Sequence, residues 1–122
     1  MGKVAGIRGA ISVKENNREE ILSSTRQLLR EMVEANSIWI EDIASVIFTA
    51  TTDLDAAFPA EAAREMGWTA VALLDAVEIP VPGSMPRVVR VLILVNVPED
   101  FKPKHVFMGN CKKLRPDLSE TE

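Results

Sequence analysis

The sequence predicts an α/β (α+β) fold made of a single domain, residues 1–122. A chain of 122 residues, 47% of them hydrophobic, can build one core of its own. Short apolar segments bounded by Gly, Pro or Asp indicate several strands. Two segments between those strands carry helical spacing or helix-end signals, so helices and strands alternate along part of the chain.

The first strand is predicted over residues 4–13, which are rich in small side chains. Glycines within a strand are typical of places where another backbone or a ligand comes close. Arg8 stands between Gly6 and Gly9 and would be well exposed to such a ligand. The alternative is that Arg8 is a surface arginine at the end of a strand.

The first helix is predicted to begin after Asn17 and to end near Asn36. Asn17 is a suitable N-cap, and Glu20 supplies an acidic residue three positions later. The residues of the expected buried face follow at helical spacing: Ile21, Thr25, Leu28, Leu29 and Met32.

A second buried strand is predicted over residues 43–50, followed by turn residues and a short, alanine-rich helix. Pro59 suits the first turn of that helix, and Gly67 suits its C-terminal end. Phe58 and Arg64 are about one and a half turns apart, so both could contact one partner. Small side chains would let the helix pack closely against the sheet or another subunit.

A short buried strand is predicted over residues 71–74, and Asp75 and Glu78 follow it before a stiff loop with three prolines. Glu78 is a natural partner for a cluster of arginines, although a loop carboxylate is equally suited to water. Asp75 and Glu78 are three residues apart, and we expect them to influence each other's protonation.

The central strand is predicted over residues 88–95, which are apolar at odd and even positions except for Arg90. This pattern is typical of a strand buried on both faces. A buried guanidinium keeps its charge, so it needs a fixed anion, ordered acceptors or a negatively charged ligand. We interpret Arg90 as a ligand residue; the alternatives are an edge-strand arginine that reaches water and a structural ion pair.

A last strand is predicted over residues 104–108, and the polar tail from about residue 112 is expected to be mobile. The single Cys111 cannot form an intrachain disulfide, and with the single His105 it offers no zinc site. We therefore expect no bound metal and an unreactive cysteine.

Composition and charge argue against several kinds of partner. Fourteen basic and eighteen acidic residues give a net charge of −4 without a basic block, which argues against nucleic acid. The longest apolar run, residues 91–95, is too short to span a bilayer, and the first residues lack the apolar segment of a signal peptide. We expect a cytoplasmic protein with no membrane partner.

Four arginines on strands, a helix and the tail are candidate anion binders: Arg8, Arg64, Arg90 and Arg115. With Glu78 as a single counter-charge, they suit a small ligand that carries two carboxylates. The sequence lacks a Ser/His/Asp set, a Gly-rich phosphate loop and a dinucleotide fingerprint. Any chemistry would therefore depend on positioning and electrostatics.

Four motifs, in order and covering nearly the whole chain, resemble the small trimeric chorismate mutases of the AroH class. They are GIRGA at 6–10, the segment 53–64 with its AFPA and Arg64, the span 78–90 with PG at 82–83, and LRPDL at 114–118. The resemblance implies a mixed β-sheet with helices on one face, assembled as a pseudo-α/β-barrel homotrimer with active sites at subunit interfaces. It also implies rearrangement of chorismate to prephenate, the branch step toward phenylalanine and tyrosine, without a cofactor.

The resemblance also implies roles for individual residues. Arg90 would contact the ether oxygen and one carboxylate of chorismate, Arg8 the other carboxylate, and Glu78 the ring hydroxyl. The remaining substrate contacts would come from Phe58, Ala60 and Arg64 of the neighbouring subunit, from Leu74, Asp75 and Phe107, and from Leu114 and Arg115 on a tail that closes over the site.

Three positions depart from the family pattern. Phe107 stands where a tyrosine is usual, Asp75 where a cysteine or serine is common, and Glu61 where a lysine can occur.

A rival function is a non-catalytic trimeric module that binds another small carboxylate, because one fold can host many functions. The joint presence of Arg90 and Glu78 favours the enzyme.

Overall fold

The computed structural model describes residues 2–113, in which five strands form one mixed sheet with two helices on one of its faces. The strands are β1 (Gly2–Ser12), β2 (Ile43–Ala50), β3 (Ala72–Val77), β4 (Val88–Pro98) and β5 (Val106–Met108). The helices are α1 (Arg18–Asn36) and α2 (Ala60–Glu65), with 3-10 helices at Ile40–Asp42 and Gly109–Lys113. No helix in residues 2–113 is long and apolar enough to cross a bilayer.

The sheet is organised around β4. The strand order is β3-β2-β4-β1-β5, and β4 pairs antiparallel with both β1 and β2. β3 and β5 are the edge strands, and each pairs parallel with its neighbour. The mixed sheet with helices on one face, which the family resemblance implied, is therefore confirmed.

Helix α1 has the capping predicted from the sequence. The side chain of Asn17 accepts a hydrogen bond of 2.8 Å from the backbone N–H of Glu20, which satisfies a donor in the first turn. The predicted apolar face of α1 is buried on the sheet, at Ile21, Thr25, Leu28, Leu29 and Met32.

Gly9 of β1 lets α1 approach the sheet closely. A Cβ atom added at Gly9 would lie 2.4 Å from Met32 Sδ and 3.1 Å from Leu28 Cδ1. The small residues of the first strand were predicted to mark a close approach, and at Gly9 the approaching group is the buried face of α1. This contact fixes the helix against the face opposite Arg8, because neighbouring residues of a strand point to opposite faces.

The two faces of the sheet differ in burial. The face under the helices carries the main core, including Ile7, Phe48 and Ile93, each fully buried. The opposite face, called the open face below, carries Arg90 and the partly buried Leu92 and Leu94. The prediction that β4 is buried on both faces is wrong for the single chain, because both helices lie on one side of the sheet.

Three strands are longer than predicted, β1 by one residue, and one strand is shorter. β3 continues to Val77 because its parallel pairing with β2 extends to Ala50, and this carries the strand through Asp75. β4 continues to Pro98, which pairs with Gly2 at the start of β1. β5 begins at Val106, two residues later than predicted.

Candidate active site

The Arg90 side chain is held on the open face by an ion pair that crosses β2. Its Nε lies 2.8 Å from Oε2 of Glu78, which follows the end of β3. The hydroxyl of Thr49 on β2 donates a hydrogen bond of 2.7 Å to the same Oε2. Because this contact uses Nε, the nitrogen nearest the chain, the terminal fork of the guanidinium can still grip another acceptor.

Cross-strand pairing explains why these groups meet. Thr49 pairs with Arg90, Arg90 with Ala10, and Ala10 with Phe107, so one row of side chains crosses β2, β4, β1 and β5 on the open face. Glu78 reaches the row because β3 ends beside β2, where the Glu78 N–H donates to the carbonyl of Ala50.

Arg8 lies in the adjacent row of the open face, where it pairs with Leu92. Arg8, Arg90 and Phe107, together with Thr49 and Ile47, line one cleft of about 300 Å³. The backbone N–H of Arg8 donates to Nδ1 of His105 at 3.0 Å, which ties β1 to the segment before β5. This cleft, called the arginine cleft below, carries two guanidinium groups and is therefore suited to an anionic ligand.

A small apolar cluster supports one end of the arginine cleft. Ala10, Val88, Phe107 and Cys111 are buried together there, and Cys111 comes from the 3-10 helix Gly109–Lys113. Burial raises the pKa of the Cys111 thiol to about 11, so the thiol stays protonated at neutral pH. This agrees with the unreactive cysteine predicted from the sequence.

The second group of predicted site residues lies around α2. Phe58 and Asp75 line a cleft of about 550 Å³, called the helix cleft below. The backbone N–H of Ala60 donates a hydrogen bond of 3.0 Å to Oδ1 of Asp75, and the Arg64 charge also acts on that carboxyl. Phe58 is 67% exposed, although its side chain is large and hydrophobic.

Asp75 is partly buried, and burial raises the pKa of its carboxyl above the ordinary value. The Ala60 N–H and the positive charge of Arg64 act in the opposite direction, but more weakly. Asp75 pairs with Phe48 and shares its face of the sheet, whereas Glu78 contacts Arg90 on the open face. The expectation that Asp75 and Glu78 influence each other's protonation is therefore wrong within one chain.

The structure thus divides the sequence-predicted residues into two sets. Arg8, Glu78, Arg90 and Phe107 meet at the arginine cleft. Phe58 and Asp75 line the helix cleft, where Ala60 is bonded to Asp75, and Arg64 is exposed on α2. Leu74 is 59% exposed at the sheet edge, on the same face as Ile47 with which it pairs. Leu114 and Arg115 lie outside the described residues.

Two contributing residues were missed by the sequence interpretation. The sequence predicted Thr49 only as part of the buried strand over residues 43–50. Its hydroxyl, which stands among apolar neighbours, is the signal that could have indicated a polar site on β2. Arg18 lies outside the predicted buried face of α1, but it forms ion pairs with Glu61 and Glu65 and lines the helix cleft. A pairing between two elements this distant in sequence leaves no local signal.

Comparisons with known proteins agree with this geometry. The model of the family described as chorismate mutase type I matches residues 4–118. The chain is 53% identical to chorismate mutase AroH of Thermus thermophilus over 98% of this chain and 99% of that protein. It is 41% identical to chorismate mutase AroH of Bacillus subtilis, over 98% of this chain and 95% of that protein. The solved structure of a chorismate mutase from Clostridium thermocellum is 50% identical, with a TM-score of 0.86 over 88% of this chain and 97% of that chain.

Proposed function

The chain belongs to the chorismate mutase type I family, and from this premise we propose that it is the isomerase that rearranges chorismate to prephenate in aromatic amino acid biosynthesis. The observation that carries the proposal is the Arg90–Glu78 pair beside Arg8 in one cleft. Two guanidinium groups and one carboxylate match a substrate that carries two carboxylates and a hydroxyl. The proposal includes no cofactor and no metal, and it keeps the cytoplasmic location predicted from the sequence.

Arg90 is proposed to act on charge that develops during the reaction. As the C–O bond of the ether breaks, negative charge grows on its oxygen, and a fixed guanidinium beside that oxygen stabilises the transition state more than the substrate. The ion pair with Glu78 supports this role, because it holds Arg90 in place before the substrate arrives. No proton has to be transferred and no covalent intermediate is needed.

The other residues of the arginine cleft are proposed to bind and orient the substrate. Arg8 would grip one carboxylate, and Glu78 would accept a hydrogen bond from the ring hydroxyl while it holds Arg90. Holding the enolpyruvyl side chain over the ring removes rotational freedom before the bond forms, which lowers the entropic part of the barrier. Phe107 is buried in the row beside Arg90 and offers apolar contact without a hydroxyl.

The complete site is proposed to lie between subunits of a homotrimer. Support comes from the separation of the two clefts within one chain, since Phe58 and Asp75 line a different cavity from Arg90. Further support comes from large apolar side chains that are exposed around β3 and the following loop: Leu74, Val77, Ile79 and Val81. A neighbouring chain that covers these residues would bring Phe58, Ala60 and Arg64 to the arginine cleft.

Glu61 stands where the family can have a lysine, and a nearby arginine compensates for the missing positive charge. Both carboxylate oxygens of Glu61 contact Arg18, whose positive charge therefore stands close to where a lysine at position 61 would place its own. In the proposed trimer, Arg18 would keep a cation at the rim of the composite site. Asp75, in turn, is proposed to shape the helix cleft through Ala60 rather than through Glu78.

The direct test is to mix the purified protein with chorismate and to follow the loss of chorismate and the appearance of prephenate. We expect saturable, cofactor-independent turnover that survives treatment with a chelator. Binding of chorismate without turnover would instead favour the rival function, a non-catalytic module for small carboxylates.

A further inference from the structure

The loop of residues 79–87 joins the two members of the Arg90–Glu78 pair, and both of its ends are held at the end of β2. At the start of the loop, the Glu78 N–H donates to the carbonyl of Ala50 at 3.0 Å. At the other end, the Thr51 N–H donates to the carbonyl of Val88, and the Val88 N–H donates to the Thr51 hydroxyl at 3.0 Å. The loop therefore closes on the turn that follows β2.

Asp53 in this turn holds the residue that ends the loop. Both carboxylate oxygens of Asp53 accept from the backbone N–H of Arg87, each at 3.1 Å. The Thr51 hydroxyl donates to Oδ1 of Asp53 while it accepts from Val88, so the two turn residues act as one unit. The loop end is bound on its other side to the residue that follows β1, because the Val13 N–H donates to the carbonyl of Arg87 at 2.7 Å.

Arg87 has an unfavourable backbone conformation at this point. Its φ is +50°, in the left-handed region that a residue with a Cβ atom seldom adopts. Such a conformation persists only when the surrounding contacts impose it. Two contacts hold Arg87 here. Its N–H donates to the Asp53 carboxylate, and its Nε donates to the carbonyl of Val13 at 3.0 Å.

We propose that Asp53 is a positioning residue for Arg90, acting through the backbone of Arg87. Arg87 lies three residues before Arg90 in the chain, so its left-handed turn sets where β4 begins and how the Arg90 side chain meets Glu78. Without the Asp53 carboxylate, Arg87 would relax toward negative φ, and the first residues of β4 would shift. This inference rests on the proposed function, because it assigns Asp53 a part in that reaction.

The test compares Asp53→Ala and Asp53→Asn with a matched control, Asp100→Asn, which removes an exposed acidic charge in the turn beyond the other end of β4. We expect Asp53→Ala to lower kcat by about tenfold to a hundredfold, with a smaller change in KM. A small displacement of Arg90 weakens the binding of the transition state more than the binding of the substrate. Asp53→Asn keeps one acceptor and should lie between Asp53→Ala and the wild type. Asp100→Asn should match the wild type.

Rescue separates positioning from a general loss of stability. Glycine adopts positive φ without strain, so the double variant Asp53→Ala/Arg87→Gly should recover much of the lost kcat without recovering the melting temperature. A double variant no more active than Asp53→Ala would overturn the proposal, and so would a folded Asp53→Ala variant with wild-type kcat. If Asp53→Ala does not fold, the same comparison is made with Asp53→Asn and Asp53→Asn/Arg87→Gly.

Hydrogen exchange keeps this inference distinct from the proposed function. Amide exchange at Val88, whose N–H donates to the Thr51 hydroxyl, should accelerate in Asp53→Ala and slow again in the double variant, whether or not chorismate is turned over. If the wild-type protein were inactive on chorismate, the proposed function would be refuted, and Asp53 would have no role in catalysis. Unchanged exchange in Asp53→Ala would refute the role of Asp53 in an active enzyme.

Discussion

Nε of Arg90 and Oε2 of Glu78 lie 2.8 Å apart, although Arg90 is in β4 and Glu78 follows β3, on the other side of β2 in the sheet. The Arg90 side chain is 35% exposed and that of Glu78 is 16% exposed. A pair this accessible contributes little to stability, about 1 kcal/mol or less. Its main effect is to fix the orientation of a guanidinium at the floor of the arginine cleft.

Removing Arg90 should nearly abolish activity. Losing one preorganised donor to a developing oxyanion typically costs about 3–4 kcal/mol, so Arg90→Ala should lower kcat by at least about a hundredfold to a thousandfold. Arg90→Lys should also be severely impaired, because lysine lacks the planar fork that reaches two oxygens. Arg30→Ala, at an exposed position of α1, is the matched control. A folded Arg90→Ala variant within about tenfold of the wild-type kcat would disprove the electrostatic mechanism.

Thr49 should matter because its hydroxyl holds Glu78. Thr49→Val keeps the side-chain shape and removes the hydrogen bond of 2.7 Å to Glu78 Oε2, so kcat/KM should fall by about tenfold. Thr69→Val, at an exposed turn position, controls for the loss of a threonine hydroxyl. Equal kcat/KM values for the two variants would show that Glu78 does not need Thr49.

A homotrimer with composite sites predicts complementation between inactive chains. Arg64→Ala and Arg90→Ala alter opposite halves of the proposed composite site, so mixed trimers should contain some interfaces with both intact halves. Co-refolding the two inactive proteins should restore a fraction of the wild-type activity, whereas either one alone should stay inactive. A fully active monomer, measured by light scattering under assay conditions, would refute the composite site.

Asp75 should make stability fall as the pH rises. Burial raises the pKa of its carboxyl in the folded chain, so the folded chain keeps this proton to higher pH than the unfolded chain. Stability therefore falls as the pH passes from the ordinary carboxyl pKa to the raised value. Asp75→Asn removes this loss, so its melting temperature should rise relative to that of the wild type across the range that begins at the ordinary carboxyl pKa and extends to higher pH. Parallel melting curves across that range would show that the Asp75 carboxyl does not carry the effect.

Gly9 should tolerate no larger residue without a loss of stability. Gly9→Ala places a Cβ atom against Met32 and Leu28, and overpacking of this kind costs about 1–3 kcal/mol. Gly6→Ala is the matched control, because a Cβ atom there would lie 3.4 Å from Leu92 Cδ1, close to an ordinary contact. The free energy of unfolding from urea titration measures both. A Gly9→Ala variant as stable as Gly6→Ala would mean that α1 shifts to make room.

The sequence by itself determined the elements and most of the candidate residues. Local signals such as the Asn17 cap, the Pro59 start and the Gly67 end act within a few residues, so they can be read without tertiary structure. The charge of Arg90 also stood out, because an arginine within an apolar strand needs a partner wherever that strand lies. The four motifs also indicate the family from the sequence alone.

Only the tertiary structure decided which residues share a surface. Strand pairing places Thr49 beside Arg90 and sends Asp75 to the opposite face from the Glu78 contact, and neither fact follows from spacing along the chain. The same holds for the Arg18–Glu61 contact and for the Asp53 carboxylate on Arg87. Each of these joins segments more than thirty residues apart. Their meeting depends on strand order and register, which are set by burial of the whole core rather than by any local pattern.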